Sequence, residues 1–84
     1  GEDLFIYPQL LVNLRVKDKE AVLKDPEVNQ VIDEVANELG NEGRILVRPS
    51  GTEPLLRVMV EAKSDELCHD YVYRVIDFVK EKGL

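Results

Sequence analysis

The chain has 84 residues, a length that fits one small domain with a single hydrophobic core. Its 44% apolar and 33% charged residues are typical of a folded globular domain and exclude a disordered tail. The net charge of −6 argues against a surface for nucleic acid or anionic lipid, and no stretch is long and apolar enough to span a bilayer. From the charge and the lack of an apolar span we expect neither a nucleic-acid nor a membrane partner. One cysteine makes no intramolecular disulfide and no signal peptide is visible, so we expect a cytoplasmic protein.

The charge is unevenly distributed along the chain. Residues 1–42 contain 4 Lys or Arg against 10 Asp or Glu, whereas residues 43–84 contain 7 of each. In the second half, Arg44, Arg48 and Arg57 follow one another with only Glu53 between them. Two interpretations stay open at this point: a cluster that binds a small anion, and strand arginines that simply face water.

The first predicted element is a strand that begins at Leu10. Apolar residues alternate with polar ones up to Val16, which is the pattern of a half-buried strand. Leu11 interrupts the polar side, so we expect that side to be partly covered. The charged stretch from Asp18 to Lys24 is predicted to be a connection without regular structure.

A helix is predicted to start at Asp25 and Pro26, because an aspartate can accept bonds from the free amides and proline suits the first helical position. Its apolar positions recur at helical spacing: Val28, Val31, Ile32, Val35 and Leu39. Gly40 is predicted to end the helix in a left-handed conformation.

Two further strands, 44–48 and 55–62, are predicted to pair as an antiparallel hairpin across a short loop. Ser64 is predicted to cap a last helix that Gly83 ends. An apolar stripe marks the buried side of this helix: Leu67, Cys68, Tyr71, Val72, Val75, Ile76 and Val79. The fold class is therefore α+β, in the order β-α-β-β-α, with a small antiparallel sheet and two helices packed on one of its faces.

The loop inside the hairpin contains more hydrogen-bond donors than a turn requires. Gly51 lets successive backbone N–H groups approach one anion, and the flanking Ser50 and Thr52 can each donate a hydroxyl proton. Arg48 can offer a planar fork to two phosphate oxygens, and Arg57 is expected to reach the loop mouth from the next strand. Phosphate binding requires a set of donors of this kind.

Two prolines, Pro49 and Pro54, bracket the loop and restrict φ at both ends, so that less conformational entropy is lost when the loop closes on an anion. Glu53 is unsuited to contact phosphate directly, and we expect it to bond loop amides or to orient an arginine. The spacing is not that of a Walker motif. From the residues alone, a phosphate-binding loop and a rigid surface turn both remain open.

Residues 43–54, GRILVRPSGTEP, and 56–62, LRVMVEA, resemble the C-terminal domain of the phosphoglucosamine mutases, a family within the α-D-phosphohexomutase superfamily. Residues 7–13, YPQLLVN, are similar to the family's entry into that domain, so the resemblance extends from about Leu4 to the end of the chain. The phosphomannomutase/phosphoglucomutase relatives usually carry other residues around the loop serine and threonine, and they are the second choice.

The resemblance implies that residues 1–84 are a single TBP-like C-terminal domain of a larger four-domain enzyme. Such an enzyme interconverts glucosamine 6-phosphate and glucosamine 1-phosphate on the route to UDP-N-acetylglucosamine and peptidoglycan precursors. It uses a phosphoserine and a Mg²⁺ held in other domains, and it passes through a bisphosphorylated intermediate. Its C-terminal domain binds the substrate phosphate that is not being transferred.

The resemblance assigns the phosphate contacts to individual positions of this sequence. Arg48, Ser50, Gly51, Thr52 and Arg57 match the phosphate-contacting positions of the family, and Pro49 lies inside the same loop. No residue matches a nucleophile, a general acid or a metal ligand. The chain on its own is therefore expected to bind no cofactor and to have no mutase activity, with a phosphosugar and the other domains as its partners.

Two other functions are compatible with a small α/β chain. A nucleic-acid-binding module is disfavoured by the acidic charge and by the lack of aromatic residues on the polar strand faces. A free-standing regulatory or protein-interaction domain is the third interpretation. Cys68 is expected to be a buried, inert thiol, and His69 a surface histidine without metal partners.

Overall fold

A computed structural model describes residues 7–84, so the expectation that the family resemblance begins near Leu4 lies partly outside the described residues. The strands are β1 (Gln9–Arg15), β2 (Arg44–Pro49) and β3 (Leu55–Glu61). The helices are α1 (Lys19–Lys24), α2 (Pro26–Leu39) and α3 (Asp65–Glu81), and a 3₁₀ turn, Gly40–Glu42, follows α2. Within residues 7–84, no helix is both long and apolar enough to cross a membrane.

The three strands form one antiparallel sheet in the order β1-β3-β2, which confirms the predicted hairpin and places β3 in the centre. Val58 of β3 lies opposite Val12 on one side and Val47 on the other. Because side chains alternate along a strand, this row and its neighbours two residues away face the helices. Helix α3 packs on β1 and β3, and α2 packs on β2 and α3.

The core lies between the inner face of the sheet and the helices. Its buried apolar residues are Leu14, Val16, Val22, Val28, Val35, Leu39, Leu56, Val58, Val60, Ala62, Cys68, Val72, Val75, Ile76 and Val79. The α+β prediction with helices on one face is confirmed, because the apolar stripes of both long helices and the alternating strand positions meet in this one cluster.

The stretch after β1 corrects the sequence prediction. The region from Asp18 to Lys24 is not an irregular connection, because α1 occupies most of it. The Asp18 carboxylate accepts hydrogen bonds from the amides of Glu20 and Ala21 at 3.0 and 3.3 Å, which caps the first turn. Val22 points into the core and is 1% exposed, so α1 is fixed to the domain by one buried side chain.

Helix α2 starts and ends where the sequence predicts. The Asp25 carboxylate accepts from the amides of Glu27 at 2.8 Å and Val28 at 3.1 Å, and Pro26 occupies the first turn. Gly40 ends the helix with a φ of 57°, a conformation that side chains with a Cβ rarely adopt. Three residues further on, Gly43 has extended backbone, and a Cβ there would lie 2.1 Å from the carbonyl oxygen of Glu61.

Two ion-pair groups connect α3 to the two ends of α2. Near the end of α3, the Lys82 ammonium lies 3.1 Å from the Asp25 carboxylate and also contacts Glu27. Near the end of α2, Glu38 accepts from Arg74 at 2.7 Å and from the Tyr71 hydroxyl at 3.2 Å. These groups add polar contacts to the apolar packing of α2 against α3.

Helix α3 is capped by Ser64, whose hydroxyl accepts from the amide of Leu67 at 3.2 Å, and the positive φ of Gly83 follows its end, as predicted. Cys68 is 1% exposed, and its thiol lies 3.2 Å from the carbonyl oxygen of Pro8. Burial raises the pKa of this thiol above its usual range, which keeps it protonated at neutral pH. His69 is exposed and stacks near Tyr73, with 4.6 Å between ring centroids.

Candidate functional site

The outer face of the sheet is open to solvent and carries the arginines that the sequence singles out. The register places residues of the three strands side by side in rows: Asn13, Arg57 and Arg48 in one row, and Leu11, Met59 and Leu46 in the next. Five of these side chains line a shallow depression of about 240 Å³: Leu11, Leu46, Arg48, Arg57 and Met59. Leu11 is 55% exposed, so the expectation that its side of the sheet is partly covered finds no support among the described residues.

Arg48 and Arg57 lie directly opposite each other on the paired strands β2 and β3. Both are exposed, and neither has a carboxylate partner within the described part of the chain. Like charges in directly opposed strand positions are destabilising. The fold therefore holds two positive charges together at the end of the hairpin where the loop begins, and no residue from 7 to 84 supplies a counterion.

The strand arginine at the other end of β2 provides a comparison. Arg44 lies opposite Glu61, and its Nε is 3.2 Å from that carboxylate. Of the three arginines, Arg44 is therefore neutralised by an ion pair. Arg48 and Arg57 share a surface and have no ion-pair partner among the described residues.

The loop over residues 50–54 is closed by backbone hydrogen bonds at its base. The Ser50 amide donates to the Leu55 carbonyl at 2.9 Å, and the Leu55 amide donates to the Glu53 carbonyl at 2.8 Å. The amides of Gly51, Thr52 and Glu53 have no acceptor among residues 7–84. Three successive N–H groups are thus available to a ligand, beside the free hydroxyls of Ser50 and Thr52.

One expectation about the loop needs correction, and it concerns Glu53. Gly51 has no positive φ and a Cβ there would meet no atom within 4 Å, so a close approach of the loop backbone to an anion stays a prediction. The carboxylate of Glu53 bonds neither a loop amide nor an arginine within the described residues. Pro49 is the last residue of β2, an edge strand, where the missing N–H of a proline is tolerated.

A lysine that the sequence did not single out contacts this loop. The Lys19 ammonium donates to the carbonyl oxygens of Ser50 at 2.9 Å and Gly51 at 2.7 Å. Nearby, the Val16 amide donates to the Pro54 carbonyl at 2.9 Å. Val16, just after β1, and Lys19, the first residue of α1, therefore hold the loop at both of its ends. No sequence motif marks such a lysine, because its acceptors are backbone carbonyls more than 30 positions away.

Metal ions need a different set of ligands from the one gathered at the loop. Among the described residues, no group of three or more His, Cys, Asp or Glu is placed to hold a metal ion. The donors gathered at the loop are cationic side chains, hydroxyls and amides, a set that suits an anion and does not suit Mg²⁺.

Comparison with known proteins identifies the fold family. Residues 11–78 match the sequence profile described as phosphoglucomutase/phosphomannomutase, C-terminal domain. The chain belongs to this family. The match covers most of β1 and all of β2, β3 and the loop between them, so the arginine pair lies within the matched region.

Two curated relatives within this superfamily are phosphoglucosamine mutases. The chain is 58% identical over 79 residues to phosphoglucosamine mutase of Bacillus subtilis, with 93% of this chain and 18% of the relative covered. It is also 58% identical over 80 residues to phosphoglucosamine mutase of Lachnospira eligens, with 95% and 18% covered. The chain therefore spans less than one fifth of the length of these relatives.

Solved structures show the same fold in longer phosphohexomutases. N-acetylphosphoglucosamine mutase of Aspergillus fumigatus in complex with GlcNAc-6P and magnesium matches with a TM-score of 0.73 and 30% identity. That match covers 93% of this chain and 16% of the fungal chain. The same fungal enzyme in complex with glucose 1,6-bisphosphate matches with a TM-score of 0.76 and 29% identity, over 92% of this chain and 16% of the other.

Proposed function

We propose that this chain is the substrate-phosphate-binding domain of a phosphoglucosamine mutase. The observation that carries the proposal is the directly opposed, unneutralised pair Arg48 and Arg57 at the mouth of the loop. A phosphate dianion placed between them turns an unfavourable contact into two charge-assisted hydrogen bonds, each contributing about 1.5–3 kcal/mol. The loop amides of Gly51 and Thr52 and the hydroxyl of Ser50 supply further donors.

In the proposed reaction the chain binds and orients the substrate and performs no bond-breaking step. Arg48, Pro49, Ser50, Gly51, Thr52 and Arg57 form the site for the phosphate that is not being transferred. The phosphoserine and the Mg²⁺ are assigned to other domains of a four-domain cytoplasmic enzyme, and the described residues of this chain offer no place for the metal. The enzyme would interconvert glucosamine 6-phosphate and glucosamine 1-phosphate for the synthesis of UDP-N-acetylglucosamine and peptidoglycan precursors.

The glucosamine branch is preferred over the phosphomannomutase/phosphoglucomutase branch because the similar curated relatives are phosphoglucosamine mutases at 54–58% identity. The structural relatives that contain sugar phosphates, GlcNAc-6P in one and glucose 1,6-bisphosphate in another, support a phosphosugar as ligand. A nucleic-acid-binding function is less well supported, because the outer face of the sheet offers leucines and a methionine where base stacking needs aromatic rings.

The proposal is tested by titrating the ¹⁵N-labelled chain with glucosamine 6-phosphate, with unphosphorylated glucosamine and with single-stranded RNA. We expect chemical shift changes centred on residues 48–57 with the phosphosugar only. Shifts caused by RNA, or equal shifts with glucosamine, would overturn the assignment of this surface to phosphate.

The Arg48→Ala variant gives the first quantitative prediction. Loss of one charge-assisted bond should weaken glucosamine 6-phosphate binding by about 1.5–3 kcal/mol. The free energy of unfolding should stay the same or rise slightly, because the repulsion with Arg57 is removed. Arg44→Ala is the matched control, since it removes the same charge from the same strand. Equal affinity of Arg48→Ala and wild type would exclude Arg48 from the site.

A further inference from the structure

The Lys19 side chain has an arrangement that charge neutralisation does not explain. Its ammonium contacts no carboxylate among the described residues and donates instead to two consecutive backbone carbonyls, those of Ser50 and Gly51. Lys19 and Ser50 are half-buried, whereas residues 51–54 of the loop are exposed. The contact joins α1 to a loop that has few other bonds to the rest of the domain.

The geometry of the peptide unit gives this contact a consequence for the loop amides. In a trans peptide, the C=O of one residue and the N–H of the next point in opposite directions, and the peptide bonds of residues 7–84 are all trans. The Ser50 carbonyl is paired with the Gly51 amide, and the Gly51 carbonyl with the Thr52 amide. By holding both carbonyls on its own side, Lys19 turns both amides to the opposite side of the loop.

Two successive N–H groups directed to one side form the kind of concave backbone arrangement that binds anions. These are two of the amides that have no acceptor within residues 7–84. Without the lysine, rotation of the two peptide planes would cost little, because Gly51 has open space around its Cα position and no other donor among residues 7–84 bonds its carbonyl.

Helix α1 places Lys19 with more precision than an irregular connection could. Asp18 caps the first turn, Lys19 is the first residue of the helix, and Val22 fixes the helix in the core. The Val16 amide, just before this turn, holds the Pro54 carbonyl at the far end of the loop. The lysine and the loop are therefore connected to the same rigid segment.

From these contacts we propose that Lys19 is a positioning residue of the phosphate site, which aligns the Gly51 and Thr52 amides for the anion. This inference rests on the proposed phosphate-binding function and extends it by a residue outside the loop. The two carbonyl contacts use two of the three donors of the ammonium, and its role is to set the direction of the amides.

The test compares wild type with Lys19→Met, Lys19→Arg and Lys24→Met. Lys24 is an exposed lysine at the other end of α1, so Lys24→Met removes the same charge without touching the loop. Each ¹⁵N-labelled protein is titrated with glucosamine 6-phosphate, and the heteronuclear NOE of the Gly51 and Thr52 amides is measured without ligand.

We expect Lys19→Met to lower the affinity by about threefold to tenfold, the range of one net hydrogen bond, and Lys24→Met to leave it nearly unchanged. The free Lys19→Met protein should show lower NOE values at Gly51 and Thr52, which indicates faster local motion, while the rest of its spectrum stays dispersed. Lys19→Arg, which keeps donors and charge, should recover most of the affinity.

The outcomes separate the two proposals. If wild type shows no shift changes at residues 48–57 with phosphosugar, the phosphate-binding function fails and the role of Lys19 fails with it. If wild type binds and Lys19→Met binds equally well, or binds more weakly with unchanged loop NOE values, the positioning role fails while phosphate binding stands.

Discussion

Single residues of this domain are constrained for different reasons, and glycine shows this most clearly. Gly40 needs its positive φ at the end of α2, Gly43 needs the absence of a side chain, and Gly51 needs neither. A sequence shows three glycines near predicted turns, and it does not reveal which of them lies against the carbonyl of a neighbouring strand. Only the sheet register, which places Arg44 opposite Glu61, brings Gly43 close to that oxygen.

We predict that Gly43→Ala destabilises the domain, because its Cβ would overlap the Glu61 carbonyl oxygen and lie 3.0 Å from Leu39. The start of β2 must shift to relieve this overlap. We expect a loss of about 1–3 kcal/mol in the free energy of unfolding, as for other overpacked sites. Urea denaturation measures this change. Gly51→Ala is the control, with almost no expected loss of stability. A Gly43→Ala protein as stable as wild type would show that the strand ends adjust without cost.

At the scale of elements, the caps and ion pairs at helix ends set where α2 and α3 begin and how they meet. Asp25 serves both purposes, because its carboxylate caps α2 and contacts Lys82 beyond the end of α3. The bond from the Val28 amide, together with Lys82, holds the pKa of Asp25 below its ordinary value. Contacts with Glu27 and Asp25 raise the pKa of Lys82 in turn.

The lowered pKa of Asp25 predicts a pH dependence of stability. A carboxyl group with a depressed pKa in the folded state stabilises the fold above its unfolded pKa, near 4, and this contribution is lost as pH falls through the folded pKa. Asp25→Asn keeps a good capping residue and removes the titration. We therefore expect the melting temperature of Asp25→Asn to fall less than that of wild type between pH 7 and pH 3.

Asp33→Asn is the control for this experiment, since Asp33 is exposed on the same helix without an ion-pair partner among the described residues. It should behave like wild type over the same pH range. Identical acid sensitivity of wild type and Asp25→Asn would mean that other carboxylates account for the loss of stability in acid.

Much of the element order could be predicted from the sequence because the signals are local. Asp25-Pro26 and Ser64 are caps that act on amides two or three residues away, and the apolar stripes of α2 and α3 are long enough to show a helical period. Helix α1 has six residues and one buried side chain, Val22, so no period is visible. Lys19 was missed for another reason: its bonds to the loop depend on tertiary contacts alone.

For the molecule as a whole, the proposed site contacts only the phosphate end of a substrate. The outer face of the sheet offers donors for a phosphate on Arg48, Arg57 and the loop, and the described residues offer no enclosure for the rest of a sugar. The chain covers 16–18% of the curated relatives, so in the proposed longer enzyme the other end of the substrate would be held elsewhere. We interpret the domain as a clamp that closes on the phosphate and reopens while a bisphosphorylated intermediate turns.

The isolated chain should therefore fold but bind weakly. We expect a dispersed NMR spectrum near neutral pH and a Kd for glucosamine 6-phosphate on the order of millimolar, because one hydrated phosphate is the main contact. The full-length enzyme should bind more tightly, since contact through this domain becomes intramolecular. Calorimetric titration of both proteins measures the difference, with Arg48→Ala in each as the control. Equal affinities would contradict the clamp.

The position of β3 in the sheet has a consequence for the order of folding. Its pairing with β2 joins segments that are neighbours in the chain, whereas its pairing with β1 joins residues as far apart as Gln9 and Glu61, 52 positions away. Closing the longer loop costs more entropy, so the hairpin should form first and β1 should add to it later. Conservative core substitutions test this: Val47→Ala in the hairpin should slow folding, and Val12→Ala in β1 should mainly speed unfolding. The reverse pattern would place β1 in the folding nucleus.

If the hairpin forms first, the loop over residues 50–54 forms before Val16 and Lys19 can make their contacts with it. The final shape of that loop is then set in the last step of folding.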